Sequence, residues 1–402
     1  MATVLERPTL TASAAALGDK LTALRRAIHL EPEIGLMTPL TRDKVRAALA
    51  HLPLTWREGP STTGLMATLD LRKPGRSVLL RGDMDALPMP EETGLDFAST
   101  VSGAMHACGH DAHVAMLAGA AELLCARADT LAGQVHFMFQ PGEEGWHGAR
   151  FMIDDGLLDP LPDAAFALHV MPTGPGGLVA GRNGPLLAAA DRLFIVVNGR
   201  GGHASMPHQT LDPIPVACEI VTALQALVTR RFDAADAVVV TVAKIVAGTT
   251  NNVIADSCEL DGTMRTLSPQ ARSRLKTEIT RLAEGIAGAH GLIATVRIEE
   301  GFPVTICDER AVLLGETVAT ALFGTQAFHR MRDPIMGAED FAYVLEKVPG
   351  AMFFLGVAHE GADLASCCGL HSTRMVLDEG VMPKGAALLA GLAEEFLANG
   401  FA

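Results

Sequence analysis

Residues 77–88, SVLLRGDMDALP, join a short apolar run to a polar loop, and this pattern decides the fold class. The run at Ser77–Leu80 predicts a buried strand, and GQVHFMFQPGEE (133–144) and DAAFALHVMP (163–172) predict two more strands of the same kind. Between the first two strands, the Ala/Leu spacing from His113 to Ala128 predicts a helix packed against a sheet. Strands that alternate with helices predict an α/β sheet whose functional loops lie at the carboxyl ends of the strands.

The sequence pattern changes near Pro185, where a second module begins. A strand, a helix, two strands, a helix and a strand are predicted in turn at 191–198, 212–231, 237–247, 258–267, 268–290 and 292–299. This order, β-α-β-β-α-β, is the ferredoxin-like pattern. We therefore predict a larger α/β domain with a central sheet, formed by residues 1–187 and 300–402, and an inserted ferredoxin-like α+β domain of residues 188–299.

Length, composition and charge narrow the class of protein. At 402 residues two domains are the default, and 49% hydrophobic with 19% charged residues indicates folded cores rather than disorder. A net charge of -14 without a Lys/Arg cluster argues against nucleic acid as a partner. The sequence contains no apolar run of about 18 residues or more, which excludes a membrane-spanning helix.

The number of cysteines and the N-terminal sequence indicate the subcellular compartment. Seven cysteines form no disulfide framework in a chain of this length, and an odd number fits a reducing compartment. The N-terminal stretch MATVLERPTLTASAAALGDK has neither the basic start nor the apolar core of a secretory signal. We therefore predict a cytoplasmic protein.

The segment MHACGHDAH (105–113) carries the densest set of possible metal ligands. His106, Cys108, His110 and His113 fall within eight residues at the start of a predicted helix. Thiolate and imidazole suit Zn and its first-row neighbours. An isolated His or Cys would more often be a solvated helix cap or a small core residue, but the density of this cluster favours a metal site.

Three further segments supply polar residues of the same kind. Glu143 and Glu144 directly follow a predicted strand, so that one carboxylate can bind metal while its neighbour acts on water. His169 ends a predicted strand, where it could equally be a core residue with its hydrogen bonds satisfied. His371, in GLHS, could supply a late ligand, but His359 competes for that role and spacing alone does not separate them.

Other polar residues are candidates for supporting roles. Asp83 and Asp85 lie on the same side of the chain at the end of the first strand, where a carboxylate could orient a ligand imidazole; capping and turn roles are the alternative. In the inserted domain, the Gly-rich turn GRGGHAS presents His203. Asn252 and Arg265 lie on predicted strands of this domain and could bind an anion or an oxyanion, with ordinary turn and surface roles as alternatives.

Taken together, these segments resemble the M20 family of metallopeptidases. They are most similar to its amidohydrolase branch, which includes hippurate hydrolases, N-acyl-amino-acid hydrolases and plant auxin-conjugate hydrolases. The matching segments run in family order from residue 79 to 373 and are RGDMDALPM, MHACGHDAHVAMLAGAA, FQPGEE, ALHV, GRGGHAS, NNVIAD, GTMRT, MGAEDFAYVL and GLHS. One departure is NVIA at 252–255, where family members often have NVIP; it removes some loop rigidity but no metal ligand.

The resemblance implies a centre of two divalent metal ions per subunit. Cys108 would bridge the ions, where most M20 peptidases use an Asp. The remaining ligands would be His110, Glu144, His169 and His371. Glu143 would be the general base, and Asp85 would hold a ligand imidazole. The mixed ligand set does not choose among Zn, Mn, Co and Ni.

The resemblance also implies a role for the inserted domain, which serves as lid and dimer interface in the family. His203 would steady the tetrahedral oxyanion, in its own or the neighbouring subunit's site. Asn252 and Arg265 would hold the substrate carboxylate or the oxyanion. The implied protein is a homodimer or tetramer, without nucleic-acid or membrane partners. It would hydrolyse the amide bond of N-acyl amino acids, such as N-acetyl or N-benzoyl conjugates, to a carboxylic acid and a free amino acid.

Three alternatives stay open at this point. The nearest is an M20-type dipeptidase or carboxypeptidase. In the second, Cys108 is a nucleophile activated by His106 or His110, which leaves the Glu143–Glu144 pair and His371 unexplained. The third is a non-catalytic metal-binding homologue, which would be expected to lack the base at Glu143.

Overall fold

The computed structural model describes residues 7–365 and 368–401 and forms two compact units. The larger unit contains the chain as far as Leu186, Ile306–Asp333 and the chain from Asp340 onward. The inserted unit contains Leu187–Thr305 and Pro334–Glu339. The predicted fold class, an α/β domain with a large sheet and an inserted ferredoxin-like module, is confirmed. Within the described residues, no helix is long and apolar enough to cross a membrane.

Helices and strands alternate through most of the chain. The α-helices of the described residues are α1 Arg7–Ala15, α2 Gly18–His29, α3 Pro39–Leu49, α4 His110–Cys125, α5 Gly148–Asp154, α6 Pro213–Arg231, α7 Pro269–Ala289, α8 Glu309–Phe323, α9 Ala342–Leu345 and α10 Met382–Asn399. The strands are β1 Thr55–Glu58, β2 Leu65–Asp70, β3 Ser77–Asp83, β4 Gln134–Gln140, β5 Ala164–Met171, β6 Val179–Gly181, β7 Gly184–Leu187, β8 Ala189–Asn198, β9 Gly202–His203, β10 Val238–Ala247, β11 Val253–Ile254, β12 Ser257–Thr266, β13 Ile293–Glu300, β14 Thr305–Cys307, β15 Phe328–Arg330 and β16 Gly350–Gly356.

The larger unit is built on an eight-stranded sheet in the order β1-β2-β4-β3-β5-β16-β6-β15. At its centre, β3 is parallel to both β4 and β5, and β16 is parallel to β5. Strands β3, β5 and β16 are buried along nearly their whole length, as expected for parallel strands that are covered on both faces. The carboxyl ends of these central strands therefore meet at one edge of the sheet.

Helix α4 is buried on almost all sides because its small residues let neighbouring elements approach closely. It packs against β3, α2 and α10. A Cβ atom at Gly119 would lie 2.9 Å from Ala386 Cβ on α10 and 2.9 Å from Leu21 Cδ2 on α2. Only glycine fits at this crossing, which holds α4 firmly between the sheet and two helices.

The start of α4 lies earlier than the sequence pattern predicts. The helix begins at His110 rather than at His113. The preceding Gly109 has a φ of +83°, and a Cβ there would lie 2.4 Å from Val170 Cγ2 on β5. Gly109 therefore ends the preceding turn in a conformation that favours glycine, and it places the His110 side chain on the first residue of a firmly packed helix.

The inserted unit has a four-stranded antiparallel sheet in the order β10-β12-β8-β13. Its elements β8, α6, β10, β12, α7 and β13 follow one another in the predicted β-α-β-β-α-β order. Side chains of β8 alternate between buried and more exposed positions, with Leu193, Ile195 and Val197 packed against α6 and α7 in the core. Ser268 caps α7 as predicted, its hydroxyl accepting the Ala271 N–H at 3.0 Å.

Candidate metal centre

Polar side chains meet at the carboxyl edge of the central sheet in the larger unit. Strand β3 ends at Asp83, and β4 ends at Gln140, directly before the Glu143–Glu144 loop. His169 lies near the end of β5, and α4 begins at His110 beside the same edge. Segments that are far apart in the chain converge here because the parallel strands end at the same level.

Cys108 lies at the centre of this cluster. Its Sγ is 3.4 Å from His169 Nε2. The ligand atoms of Cys108, His110 and His169 lie within 4.8 Å of one another, and so do those of Cys108, Glu144 and His371. The structure thus brings together all five residues that the sequence proposed as ligands, in two groups that share the Cys108 sulfur.

The two buried imidazoles of the cluster are oriented by backbone carbonyls. His110 Nδ1 lies 2.8 Å from the carbonyl oxygen of Asp85, and His169 Nδ1 lies 2.7 Å from that of Val170. A carbonyl oxygen can only accept a hydrogen bond, so Nδ1 carries the proton in both rings. Nε2 of each ring is left for the cluster, which is the arrangement that metal-binding histidines require.

Asp85 holds the loop that carries both glutamates. Its two carboxylate oxygens each accept a backbone N–H at 2.9 Å, one from Glu143 and one from Glu144. The His110 ring is instead bonded to the backbone carbonyl of Asp85, and the carboxylate stands 3.6 Å from His110 Nδ1. The buried Asp85 therefore holds the glutamate loop through its side chain and the His110 imidazole through its backbone carbonyl.

His371 joins the cluster from the C-terminal part of the chain. Its Nε2 lies 3.2 Å from Glu144 Oε1, and its backbone N–H donates to Ala107 O at 2.9 Å. Its φ of +64° is an uncommon backbone conformation for a residue with a side chain. The rival candidate His359 is exposed and belongs to no such group among the described residues. The structure therefore places His371, and not His359, in the cluster around Cys108.

A further layer of buried polar residues surrounds the cluster. His113 donates from Nδ1 to Asp83 Oδ1 at 2.5 Å and accepts the Val170 N–H at its Nε2, so both ring nitrogens are occupied. Asp83 also accepts from Arg81 at 2.6 Å. The same guanidinium reaches Gln140 at 2.8 Å and Asp340 at 3.1 Å.

Sequence reasoning assigned no role to Arg81, Gln140 or Asp340. Gln140 donates to Asp340 at 2.7 Å, and Asp340 accepts the Ala149 N–H at 2.9 Å. The only signal for Gln140 is its place directly before the Pro-Gly-Glu-Glu loop. Arg81 and Asp340 are 259 positions apart in the chain, so no local pattern could have paired them.

The pKa shifts describe a site whose charges suit a cation. Burial raises the pKa of the Cys108 thiol. Hydrogen bonds to Cys108 and Glu144 raise the pKa of His371 to about 10. Burial, together with the nearby His113, lowers the pKa of His169 well below its ordinary value. A proton on His371 thus compensates the negative charge of the Glu144 carboxylate, and a bound divalent cation would supply the positive charge in its place.

The donor atoms fit a metal centre. His110 Nε2 is buried and has no hydrogen-bond partner among the described residues, although it lies within the cluster. A buried polar atom without a partner costs about 1–3 kcal/mol, a cost that coordination removes. Thiolate, imidazole and carboxylate are also the donors that Zn and related ions prefer.

Three of the predicted residues belong to the inserted unit. His203, on β9, pairs with Val253 of β11, and its Nδ1 accepts from the Ser205 hydroxyl at 2.9 Å. Asn252 lies close to His203 in the fold. Its backbone carbonyl oxygen accepts the N–H of Ala204, the residue after His203, at 3.1 Å. Arg265 lies on β12 in the four-stranded sheet and donates to the Met264 carbonyl at 2.9 Å. The unit thus brings His203 and Asn252 together, with Arg265 on a separate sheet.

A set of metal donors beside a buried carboxylate, at the carboxyl edge of an α/β sheet, defines a metal-dependent hydrolase. The chain belongs to peptidase family M20/M25/M40, whose family model matches residues 79–395. Enzymes of this family act on amide bonds, and the resemblance drawn from the sequence motifs is confirmed.

Relatives of two activities match nearly the whole chain. An N-acetylcysteine deacetylase of Bacillus subtilis (strain 168) is 37% identical over 94% of this chain and 97% of its own length. Thermostable carboxypeptidase 2 of Saccharolobus solfataricus is 37% identical over 94% of this chain and 95% of its own. The crystal structure of the Bacillus subtilis YXEP protein, described as a dinuclear metal binding peptidase of the M20 family, superposes with a TM-score of 0.82. It is 33% identical and covers 95% of this chain and 99% of that one.

Proposed function

We propose that this enzyme hydrolyses the amide bond of N-acyl amino acids, releasing a carboxylic acid and a free amino acid. The observation that carries the proposal is the convergence of Cys108, His110, Glu144, His169 and His371 beside the Glu143 carboxylate. The deacetylase relative supports the substrate class, because its name describes removal of an acetyl group from the nitrogen of an amino acid.

We infer that the centre holds two divalent metal ions. One group of donors is Cys108, His110 and His169, and the other is Cys108, Glu144 and His371. Cys108 belongs to both groups, so these five residues would together hold the two ions. The dinuclear relative supports this reading. The donor set suits Zn, Mn, Co or Ni, and metal availability decides among them.

Glu143 is the proposed general base. Its side chain is buried, one carboxylate oxygen lies 4.0 Å from His110 Nε2, and its backbone N–H is held by Asp85. When bound, the metal ions polarise the amide carbonyl and lower the pKa of water. Glu143 takes the proton from the attacking water and passes it to the nitrogen of the leaving amine. Asp85 keeps the carboxylate in place throughout both transfers.

The inserted unit is proposed to complete the site as a lid and to form the interface of a homodimer or tetramer. His203 would donate a hydrogen bond to the developing oxyanion, in its own or the partner subunit, an interaction worth about 3–4 kcal/mol per donor. Asn252 and Arg265 are proposed to hold the substrate carboxylate or the oxyanion. His203 on β9 and Asn252 in the turn before β11 are both exposed, which is compatible with contact to a substrate. A cytoplasmic location stays a prediction from the sequence.

The rival function is a carboxypeptidase or dipeptidase, and the Saccharolobus relative favours it. Both functions cleave an amide next to a free carboxylate, so the metal centre does not separate them. We would assay N-acetyl and N-benzoyl amino acids beside dipeptides and longer peptides, with metal-depleted and metal-restored enzyme. Faster hydrolysis of the N-acyl amino acids, dependent on added metal, is expected. Faster hydrolysis of the peptides would instead assign a peptidase.

A thiol mechanism is tested by the same preparations. Burial raises the pKa of Cys108, which opposes the thiolate that a nucleophile needs. Loss of activity with a chelator and recovery with Mn or Zn is expected. Activity that survives the chelator but is abolished by thiol alkylation would make Cys108 the nucleophile.

A further inference from the structure

Three large apolar side chains on or next to the glutamate loop are exposed and take no part in the proposed metal chemistry. Trp146 follows Glu143 by three positions, and 50% of its surface is exposed. Met37 is 61% exposed and Ile34 is 37% exposed. We name these three side chains, Ile34, Met37 and Trp146, the indole shelf. Large apolar side chains that remain open to solvent beside a catalytic loop suggest a binding surface.

The two segments of the indole shelf are in direct contact through glycines. A Cβ atom at Gly35 would lie 3.1 Å from Trp146 Cε2 and 3.2 Å from its Cδ2, so the indole lies against the backbone of residue 35. A Cβ at Gly142 would lie 2.6 Å from Leu36 Cδ2. The segment 34–37 therefore packs against the loop 142–146 through Gly35 and Leu36.

The loop that carries Trp146 is held on both sides of the indole. The Gly148 N–H donates to Gly142 O at 2.9 Å and closes the loop. His147 is bonded through Nδ1 to the Tyr343 hydroxyl at 2.9 Å and has a φ of +59°. A half-exposed indole on a loop with a fixed backbone loses little conformational freedom when a ligand covers it.

The indole shelf is joined to the reacting groups by a two-residue connection. The Asp85 carboxylate holds the N–H groups of Glu143 and Glu144. The next residue, Ala86, donates its N–H to Glu33 O at 2.8 Å and forms an isolated parallel bridge with Ile34. Residues 85 and 86 thus contact the loop of the proposed general base through Asp85 and the segment that carries Ile34 through Ala86.

We propose that Trp146 is a specificity-determining residue whose indole forms a wall of the acyl-group site and favours aromatic or extended apolar acyl groups over acetyl. This inference rests on the proposed function. The acyl group is the part of the substrate that an apolar surface recognises, since the amino acid end carries a carboxylate that requires cations or hydrogen-bond donors. An aromatic ring on the indole gains apolar contact and ring stacking, whereas an acetyl methyl group is too small to cover it.

The test compares Trp146→Ala and Trp146→Phe with the wild type, using kcat/KM for N-benzoylglycine and N-acetylglycine. Trp56, the other tryptophan of the chain, lies half buried on β1, and Trp56→Ala is the matched control. In Trp146→Ala the benzoyl-to-acetyl ratio is expected to fall roughly 10-fold or more. Trp146→Phe should keep most of the preference because it retains an aromatic face. The control should leave the ratio unchanged.

A binding measurement supplies a second readout. In the inactive Glu143→Gln, Trp56→Phe double variant, Trp146 is the sole indole, and N-benzoylglycine should change its fluorescence saturably. Hydrolysis of N-acetylalanine is compared with that of N-acetylphenylalanine in the wild type and in Trp146→Ala. Because these substrates share the acetyl group, their ratio reports only the preference for the amino acid.

Three results would overturn the inference alone: an unchanged benzoyl-to-acetyl ratio, a shift confined to amino acid preference, or fluorescence that does not respond to N-benzoylglycine. Wild-type enzyme that cleaves peptides but no N-acyl amino acid would instead overturn the proposed function, and this inference with it.

Discussion

Replacing Asp85 by Asn tests how the base loop is held. Both carboxylate oxygens of Asp85 accept a backbone N–H at 2.9 Å, from Glu143 and from Glu144, and the side chain is buried. Asn has nearly the same shape but offers one oxygen and one NH2 group. One of the two backbone N–H groups would then face another donor. The carbonyl oxygen of residue 85, which orients His110, is unaffected by this change.

The size of the effect follows from these contacts. A buried N–H left without an acceptor costs about 1–3 kcal/mol, and loss of the charge weakens the remaining hydrogen bond by about 1 kcal/mol. The sum is roughly 2–4 kcal/mol. If the loop shifts to relieve this cost, Glu143 moves away from its reactive position. At about 1.36 kcal/mol per factor of ten, kcat/KM is expected to fall by roughly 30- to 1,000-fold.

The assay measures kcat/KM, metal stoichiometry by elemental analysis, and melting temperature. The matched control is Asp163→Asn at the opposite end of β3, where Asp163 accepts the N–H of Ser77 at 2.7 Å in an exposed position. Asp85→Asn is expected to bind close to the wild-type amount of metal at saturating concentration and to lose activity. The control should stay fully active. Wild-type kcat/KM in Asp85→Asn would refute the view that this carboxylate positions the base.

Three further predictions concern the base, the thiolate and a buried ion pair. Glu143→Gln should keep its metal while kcat falls by about 10²–10⁴-fold, and near-native turnover would contradict the role of Glu143 as base. Cys108→Ala should lose metal and activity together, measured by elemental analysis and turnover; full retention of both would remove Cys108 from the centre. Burial alone lowers the pKa of His29, but the hydrogen bond to Asp111 and the negative charges of Asp111 and Glu91 together outweigh burial and raise this pKa. Charged His29 thus stabilises the fold fully below its unfolded pKa of about 6.5, and this stability is lost as pH rises through the raised folded value. The melting-temperature difference between wild type and His29→Gln should therefore shrink with rising pH, and a growing difference would be inconsistent with this assignment.

Much of the site could be named from the sequence because its residues lie in short, distinctive segments. Cys108 and His110 share one motif, Glu143 and Glu144 share another, and each motif directly precedes or follows a regular element. The strand and helix patterns placed these segments at strand ends, where an α/β sheet collects its functional loops.

Other features depended on hydrogen-bond directions that no linear pattern contains. His113 stands in the same motif as His110, yet both of its ring nitrogens are taken by Asp83 and the Val170 N–H. The Asp85 backbone carbonyl accepts a hydrogen bond from His110, a contact that the sequence pattern did not predict, and the Asp85 carboxylate lies 3.6 Å from the same ring nitrogen. The start of α4 was misplaced because Gly109, and not the apolar spacing, decides where that helix begins.

By itself, the sequence determined the α/β class, the ferredoxin-like insertion and the donor types, because hydrophobic periodicity and motif spacing are local properties of a chain. Tertiary structure alone decided that His371 rather than His359 joins Cys108, and that Arg81 meets Asp340 across 259 positions. It also decided that Trp146 stays exposed against Gly35. These outcomes depend on the packing of strands and loops that are distant in sequence, and packing fixes contacts that local pattern leaves undefined.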